Sequence, residues 1–103
     1  MQKVFVMYKL RPGVSIERYM EWSRTVDQVI TPFQPGIQRF EVYRIKGAEK
    51  GQSPYDIVED MEVDSWEAYQ ETVAGPGMAR VVKDWNELAD PNSAVVIFGD
   101  KIK

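Results

Sequence analysis

Ser23 and Asp27 stand one helical turn apart on a stripe otherwise filled by Ile16, Tyr19, Met20, Val26 and Ile30. A carboxylate on a core-facing stripe must be paired, hydrogen-bonded or protonated, and one that faces a cavity is a candidate acid or base with a raised pKa. Ser23 is placed to steady it. The plainer alternative puts Asp27 at the edge of the stripe, reaching solvent or an arginine. Two further acids, Glu59 and Asp60, are adjacent in a run that reads as a strand, so alternation sends one to each face of the sheet. The helix-facing one could work with Asp27 or hold a cationic ligand. The other could pair with Arg39 or Arg44 across a dimer, and a purely structural ion pair is the competing reading. Asp27, Glu59 and Asp60 are thus the candidate catalytic residues. The chain contains no His and no Cys, so acid–base chemistry falls to Asp, Glu, Tyr, Lys or a bound group.

Three Trp, five Tyr and four Phe supply a dense aromatic set. Most of these side chains serve core or interface, and a subset could line a flat pocket. Tyr8, Trp22, Tyr43 and Trp85, with Ser23, are the candidate substrate-binding residues. No metal site is expected: thiolate and imidazole ligands are absent, and Glu59, Asp60, Glu62 and Asp64 diverge along a strand without the spacing of a calcium loop. Gly75-Pro76-Gly77 lacks the spacing of a phosphate-binding loop and reads as a helix break, so no nucleotide cofactor is expected either.

The elements that must position these groups follow from pattern. Gln2 to Leu10 reads as a strand with both faces apolar, Val4, Val6 and Tyr8 on one side and Phe5 and Met7 on the other. Arg11-Pro12-Gly13 turns the chain, and Ser15 caps a helix running to about Ile30, stopped by Pro32 and Pro35-Gly36. Ile37 to Ile45 and Tyr55 to Val63 read as strands joined by a hairpin loop over Lys46 to Pro54, with Ile37 assigned to the face of Arg39, Glu41 and Tyr43. Asp64-Ser65 offers the cap of a second helical region from Trp66, broken at Gly75-Pro76-Gly77 and resumed from Met78 to Ala89. Ala94 to Phe98 is a short apolar strand.

The order βαββαβ predicts an α+β fold of ferredoxin-like type with a four-stranded antiparallel sheet, as one domain over residues 1–103. Thirteen basic against 16 acidic residues give a net charge of −3, and the basic residues are scattered, which argues against a nucleic-acid partner. No apolar run approaches a membrane span, and Met1 to Leu10 is broken by Lys9 and lacks a cleavage site for a signal peptide. Without cysteine the expected compartment is the cytoplasm. Helices on a single face of the sheet leave the other face apolar and uncovered, which predicts a homodimer.

Lys9-Leu10-Arg11-Pro12-Gly13-Val14-Ser15 leading into Tyr19 and Trp22, together with the strand and exit from Tyr55 to Trp66, resembles the dimeric α/β barrel superfamily. Within it the chain is most similar to the RedY-like family, that of HapK and PigK. The resemblance implies two four-stranded sheets packed face to face, a cavity between sheet and helices for a small aromatic ligand of pyrrole or indole type, and a place in prodiginine-like secondary metabolism. It implies a cofactor-free cyclase or condensation helper acting on a pyrrole or bipyrrole intermediate. A non-catalytic carrier or partner protein, and a cofactor-free monooxygenase, stand as alternatives. The related EthD-type sequences usually place a histidine late in the first helix. This chain has none, so a histidine-dependent mechanism does not carry over.

Overall fold

A computed structural model describes residues 1–103. Four antiparallel strands, β1 (Gln2–Tyr8), β2 (Ile37–Arg44), β3 (Ile57–Val63) and β4 (Val95–Asp100), form one sheet in the order β2-β3-β1-β4. Between β1 and β2 run α1 (Ile16–Trp22), a π-helical turn over Ser23–Asp27, the short α2 (Gln28–Ile30) and a 3-10 turn at Thr31–Phe33. Between β3 and β4 lie α3 (Trp66–Ala74), a 3-10 turn at Pro76–Met78 and α4 (Ala79–Leu88). This is the α+β, ferredoxin-like arrangement that the βαββαβ order predicts.

Local chemistry explains where the elements begin. The Ser15 hydroxyl accepts from the Arg18 amide at 3.1 Å and caps α1, and the Ser65 hydroxyl accepts from the Ala68 amide at 3.0 Å and caps α3. Glu17 and Glu67 lie in the first turns, where carboxylates suit the helix dipole. The β1 strand ends two residues earlier than its pattern suggests. Leu10 makes an isolated bridge to Ala89, and the Leu10 amide donates to Asp56 Oδ2 at 2.9 Å. Both interactions turn the chain out of the sheet before α1.

The core lies between the sheet and its helices, built from Val4, Val6 and Tyr8 of β1, Ile57, Met61 and Val63 of β3, and Tyr19, Ile37, Leu88 and Ala89. Ile37 departs from the alternation read in the sequence. The register with β3 slips between Ile37 and Arg39, so Ile37 opposes Val63 while Phe40 opposes Met61. That bulge carries Ile37 to the helix side with Phe40 and Val42. Gly36, just before it, holds a left-handed φ of 81°, and a Cβ there would stand 3.2 Å from Ala68 Cβ. The turn therefore brings α3 against the start of β2.

The other face of the sheet carries no helix. Lys3 pairs with Asp60 at 2.5 Å and Arg39 with Glu41 at 2.9 Å on that side, among Phe5, Met7 and Tyr43. On the edge strand β4, Val95, Val96, Ile97 and Phe98 are all more than a third exposed. No helix is long and apolar enough to cross a membrane.

Candidate active site

A cavity of about 230 Å³ opens between the helix-facing side of the sheet and α3 and α4. Eleven of its 16 lining residues are hydrophobic, and they come from every layer of the fold: Val6, Ile37, Met61 and Val96 from the sheet, Val73 from α3, Val81, Val82 and Trp85 from α4. Met78 reaches it because the break at Gly75-Pro76-Gly77 inserts a 3-10 turn that buries this side chain. Two carboxyl groups, Asp27 and Glu59, stand in this apolar wall, 2 % and 8 % exposed. An engineered apolar cavity of roughly 150 Å³ holds a benzene ring, so this volume has room for one or two small flat rings.

The π-helical turn positions Asp27. Residues Ser23, Val26 and Asp27 all bury on it, and the Gln28 amide reaches back five residues to the Ser23 carbonyl. Such turns recur at functional sites. Thr31, four residues on, donates its hydroxyl to Asp27 Oδ1 at 2.6 Å. Burial pushes the Asp27 carboxyl up to about 6, opposed by the Thr31 hydrogen bond.

Glu59 projects from the middle of β3, where alternation puts it on the helix side with Ile57, Met61 and Val63. Burial pushes its carboxyl up to about 8, the negative charge of Asp27 adds to the rise, and the Tyr8 hydrogen bond opposes it. Tyr8 Oη donates to Glu59 Oε2 at 2.6 Å and lies 2.5 Å from Tyr19 Oη. No lysine or arginine forms an ion pair with either carboxyl. Tyr69 and Thr72 of α3 and Asn86 of α4 add polar groups to the lining, the Tyr69 phenol raised by burial and by the charge of Glu59. Two acids that hinder each other's ionisation divide into one proton donor and one proton acceptor near neutral pH.

Of the residues singled out in the sequence, the structure brings Asp27, Glu59 and Trp85 to this cavity. It does not bring Asp60, which alternation sends to the helix-free face, where Lys3 neutralises it. Tyr43 lies on that face too, 48 % exposed and donating to Glu41 at 3.2 Å. Tyr8 is fully buried beneath Glu59 and meets the cavity only through that carboxyl and through Trp85, whose ring stands edge-on to it at 5.1 Å. Trp22 is a strut: its indole Nε1 donates to Asp84 Oδ2 at 2.9 Å and ties α1 to α4. Ser23 does not hold Asp27. Its hydroxyl accepts from Gln28 Nε2 at 3.0 Å and lines a separate pocket. The residue sequence reasoning missed is Thr31, although it sits one turn beyond Asp27 on the same stripe. Alternation sends Glu59 to the helix side and Asp60 and Glu62 to the open face, and no group of three or more acidic side chains comes together.

The family model for REDY-like protein HapK matches residues 2–102. The chain belongs to this family. HapK from Hahella chejuensis superposes with a TM-score of 0.81 at 19 % identity, over 99 % of this chain and 93 % of that one. An ethyl tert-butyl ether degradation family protein from Bacillus halodurans superposes at 0.77 with 22 % identity, over 99 % of each chain. A protein of Bacteroides fragilis, described as dimeric and ferredoxin-like, superposes at 0.71 with 17 % identity, over 97 % of this chain and 95 % of that one. Identities this low carry the REDY-like chain's fold and no activity. No curated protein sequence matches the chain.

Proposed function

We propose that the cavity binds a small, flat, largely apolar molecule of the pyrrole or bipyrrole type, and that Asp27 and Glu59 act on it as an acid–base pair in a cofactor-free ring closure or condensation. One observation carries this reading: two carboxyls without a cationic partner share a largely apolar cavity. Joining such rings requires protonation of a departing oxygen or an imine nitrogen and removal of a ring proton. A pair holding one proton between its members performs both steps, and the apolar walls hold the rings in a reactive orientation. Membership of the HapK family agrees with a place in secondary-metabolite biosynthesis.

A second copy of the chain would cover the open face of the sheet. Val95 and Ile97 of β4 oppose Met7 and Phe5 of β1 there and are 37 % and 49 % exposed. A patch of this kind on a small domain marks an association surface. Dimeric relatives with the same fold support it.

The test is 2,2′-bipyrrole binding by calorimetry, followed by pigment complementation in a strain lacking its own REDY-like protein. Wild type binds and complements, while Asp27→Asn and Glu59→Gln bind and fail to complement. Complementation by both variants would turn the reading toward a carrier, and absence of binding would remove the cavity from it.

A further inference from the structure

We propose that Tyr8 and Tyr19 form a proton relay between Glu59 in the apolar cavity and a second pocket enclosed by α1, the π-helical turn, β2 and β3. The second pocket, about 140 Å³, is lined by Tyr19, Ser23, Arg24, Gln28 and Arg44 among others and shares no lining residue with the first. Arg24, Gln28 and Arg44 are exposed, so this pocket meets solvent. The inference rests on the acid–base role of Glu59 and adds the path by which its proton is exchanged.

The connection is continuous. Glu59 Oε2 accepts from Tyr8 Oη at 2.6 Å, Tyr8 Oη lies 2.5 Å from Tyr19 Oη, and Tyr19 in turn lines the second pocket beside Ser23. Tyr8 is fully buried and Tyr19 is 1 % exposed, so the Glu59–Tyr8 and Tyr8–Tyr19 hydrogen bonds are shielded from bulk solvent. Each phenol has one proton, which fixes the polarity of the chain. When Glu59 is ionised, Tyr8 donates to it and Tyr19 must donate to Tyr8. When Glu59 is protonated, it donates to Tyr8, Tyr8 to Tyr19, and Tyr19 outward. Release therefore moves one proton from Glu59 to Tyr8 as Tyr8 passes its own to Tyr19 and Tyr19 passes its own to water in the second pocket. Each phenol ends neutral and the carboxyl ends ionised.

A ligand in the first cavity makes this path matter, because it covers the route by which water would reach Glu59. The titratable groups facing Glu59 are Tyr8 from β1, Tyr19 from α1, Asp27 from the π-helical turn and Tyr69 from α3. Neither Asp27 nor Tyr69 reaches the second pocket. Burial raises both relay phenols, which keeps them neutral carriers that give one proton and take one.

The relay is tested by following the protonated-carboxyl infrared band of Glu59, assigned by its loss in Glu59→Gln, after a photochemical pH jump. The first cavity is plugged in two ways, with indole and with the substitution Val96→Trp at its β4 edge. Tyr8→Phe and Tyr19→Phe, each compared with wild type at its own midpoint, slow the relaxation at least tenfold in plugged protein. Tyr19→Phe leaves the Tyr8–Glu59 hydrogen bond and the position of the band unchanged, which separates a lost carrier from a disturbed site. It also decides the matter if Tyr8→Phe does not fold. Wild-type relaxation in plugged Tyr19→Phe overturns the relay and leaves the acid–base reading standing. Failure of indole to bind counts against ligand binding alone, because the Val96→Trp protein still reports on the relay.

Discussion

Glu59 and Asp27 are both costly to ionise where they stand, and that cost links the site to the stability of the protein. Glu59 has an ordinary value of 4.5 when unfolded and about 8 when folded. Below about pH 4.5 both states hold the proton and the folded protein keeps its full stability. Between there and pH 8 the unfolded chain has released a proton that the folded one retains, so stability falls as pH rises. The slope is about 1.4 kcal/mol per pH unit for this one carboxyl, and it levels off above pH 8. Glu59→Gln removes that contribution. Thermal melts from pH 4 to 9 are expected to show wild type declining across the window and the variant declining less, with the variant gaining on wild type toward pH 9. At the same scale, Asp27→Asn is expected to lose about 10²- to 10⁴-fold in turnover of a pyrrole-type substrate, the usual reach of a general acid or base, with an unchanged circular-dichroism spectrum. Equal turnover would remove Asp27 from the chemistry. Asp27 was legible as a charged break in an apolar stripe, and Glu59 as one of two adjacent strand acids. Which acid faces the helices depends on strand register, and that is settled only by pairing with β1 and β2. Thr31 was hidden because nothing local separates a threonine that holds a carboxylate from one that merely precedes a proline.

The order and type of the elements were legible because their signals are local: serine caps, prolines after the first helix, and period-two runs of Val, Ile and aromatic residues. Two features were not. The π-helical turn over Ser23–Asp27 leaves the apolar spacing close to that of an α-helix, so the pattern does not reveal it. The bulge at Ile37 reverses the parity of the first residue of β2, and only the register against β3 shows it. Gly36 is the residue that makes this entry possible, through its left-handed backbone and its contact with Ala68 on α3. Gly36→Ala adds both a strained φ and a crowded Cβ, and is expected to cost about 1–3 kcal/mol. That corresponds to a melting temperature lower by roughly 5–15 °C in calorimetry. A neutral result would mean that the turn can rearrange without moving α3 from the cavity.

For the whole molecule, the sheet has one face covered by helices that shape a cavity and one face that the chain cannot cover itself. Ile97 sits in the uncovered patch opposite Phe5, and Ile97→Lys places a charge there. Light scattering is expected to find wild type as a dimer at micromolar concentration and Ile97→Lys as a monomer, whereas a monomeric wild type would refute the covering role given to a second copy. The covered side carries the central claim, that two carboxyls share the cavity and resist joint ionisation. Carbon-13 NMR of the Asp and Glu side-chain carboxyls from pH 4 to 9 tests it without a substrate. The prediction is that Asp27 titrates near 6 and Glu59 near 8, and that Asp27→Asn lowers the Glu59 midpoint by removing the neighbouring charge. Titration of both carboxyls in the ordinary range near 4, or a Glu59 midpoint unmoved by Asp27→Asn, would contradict the account.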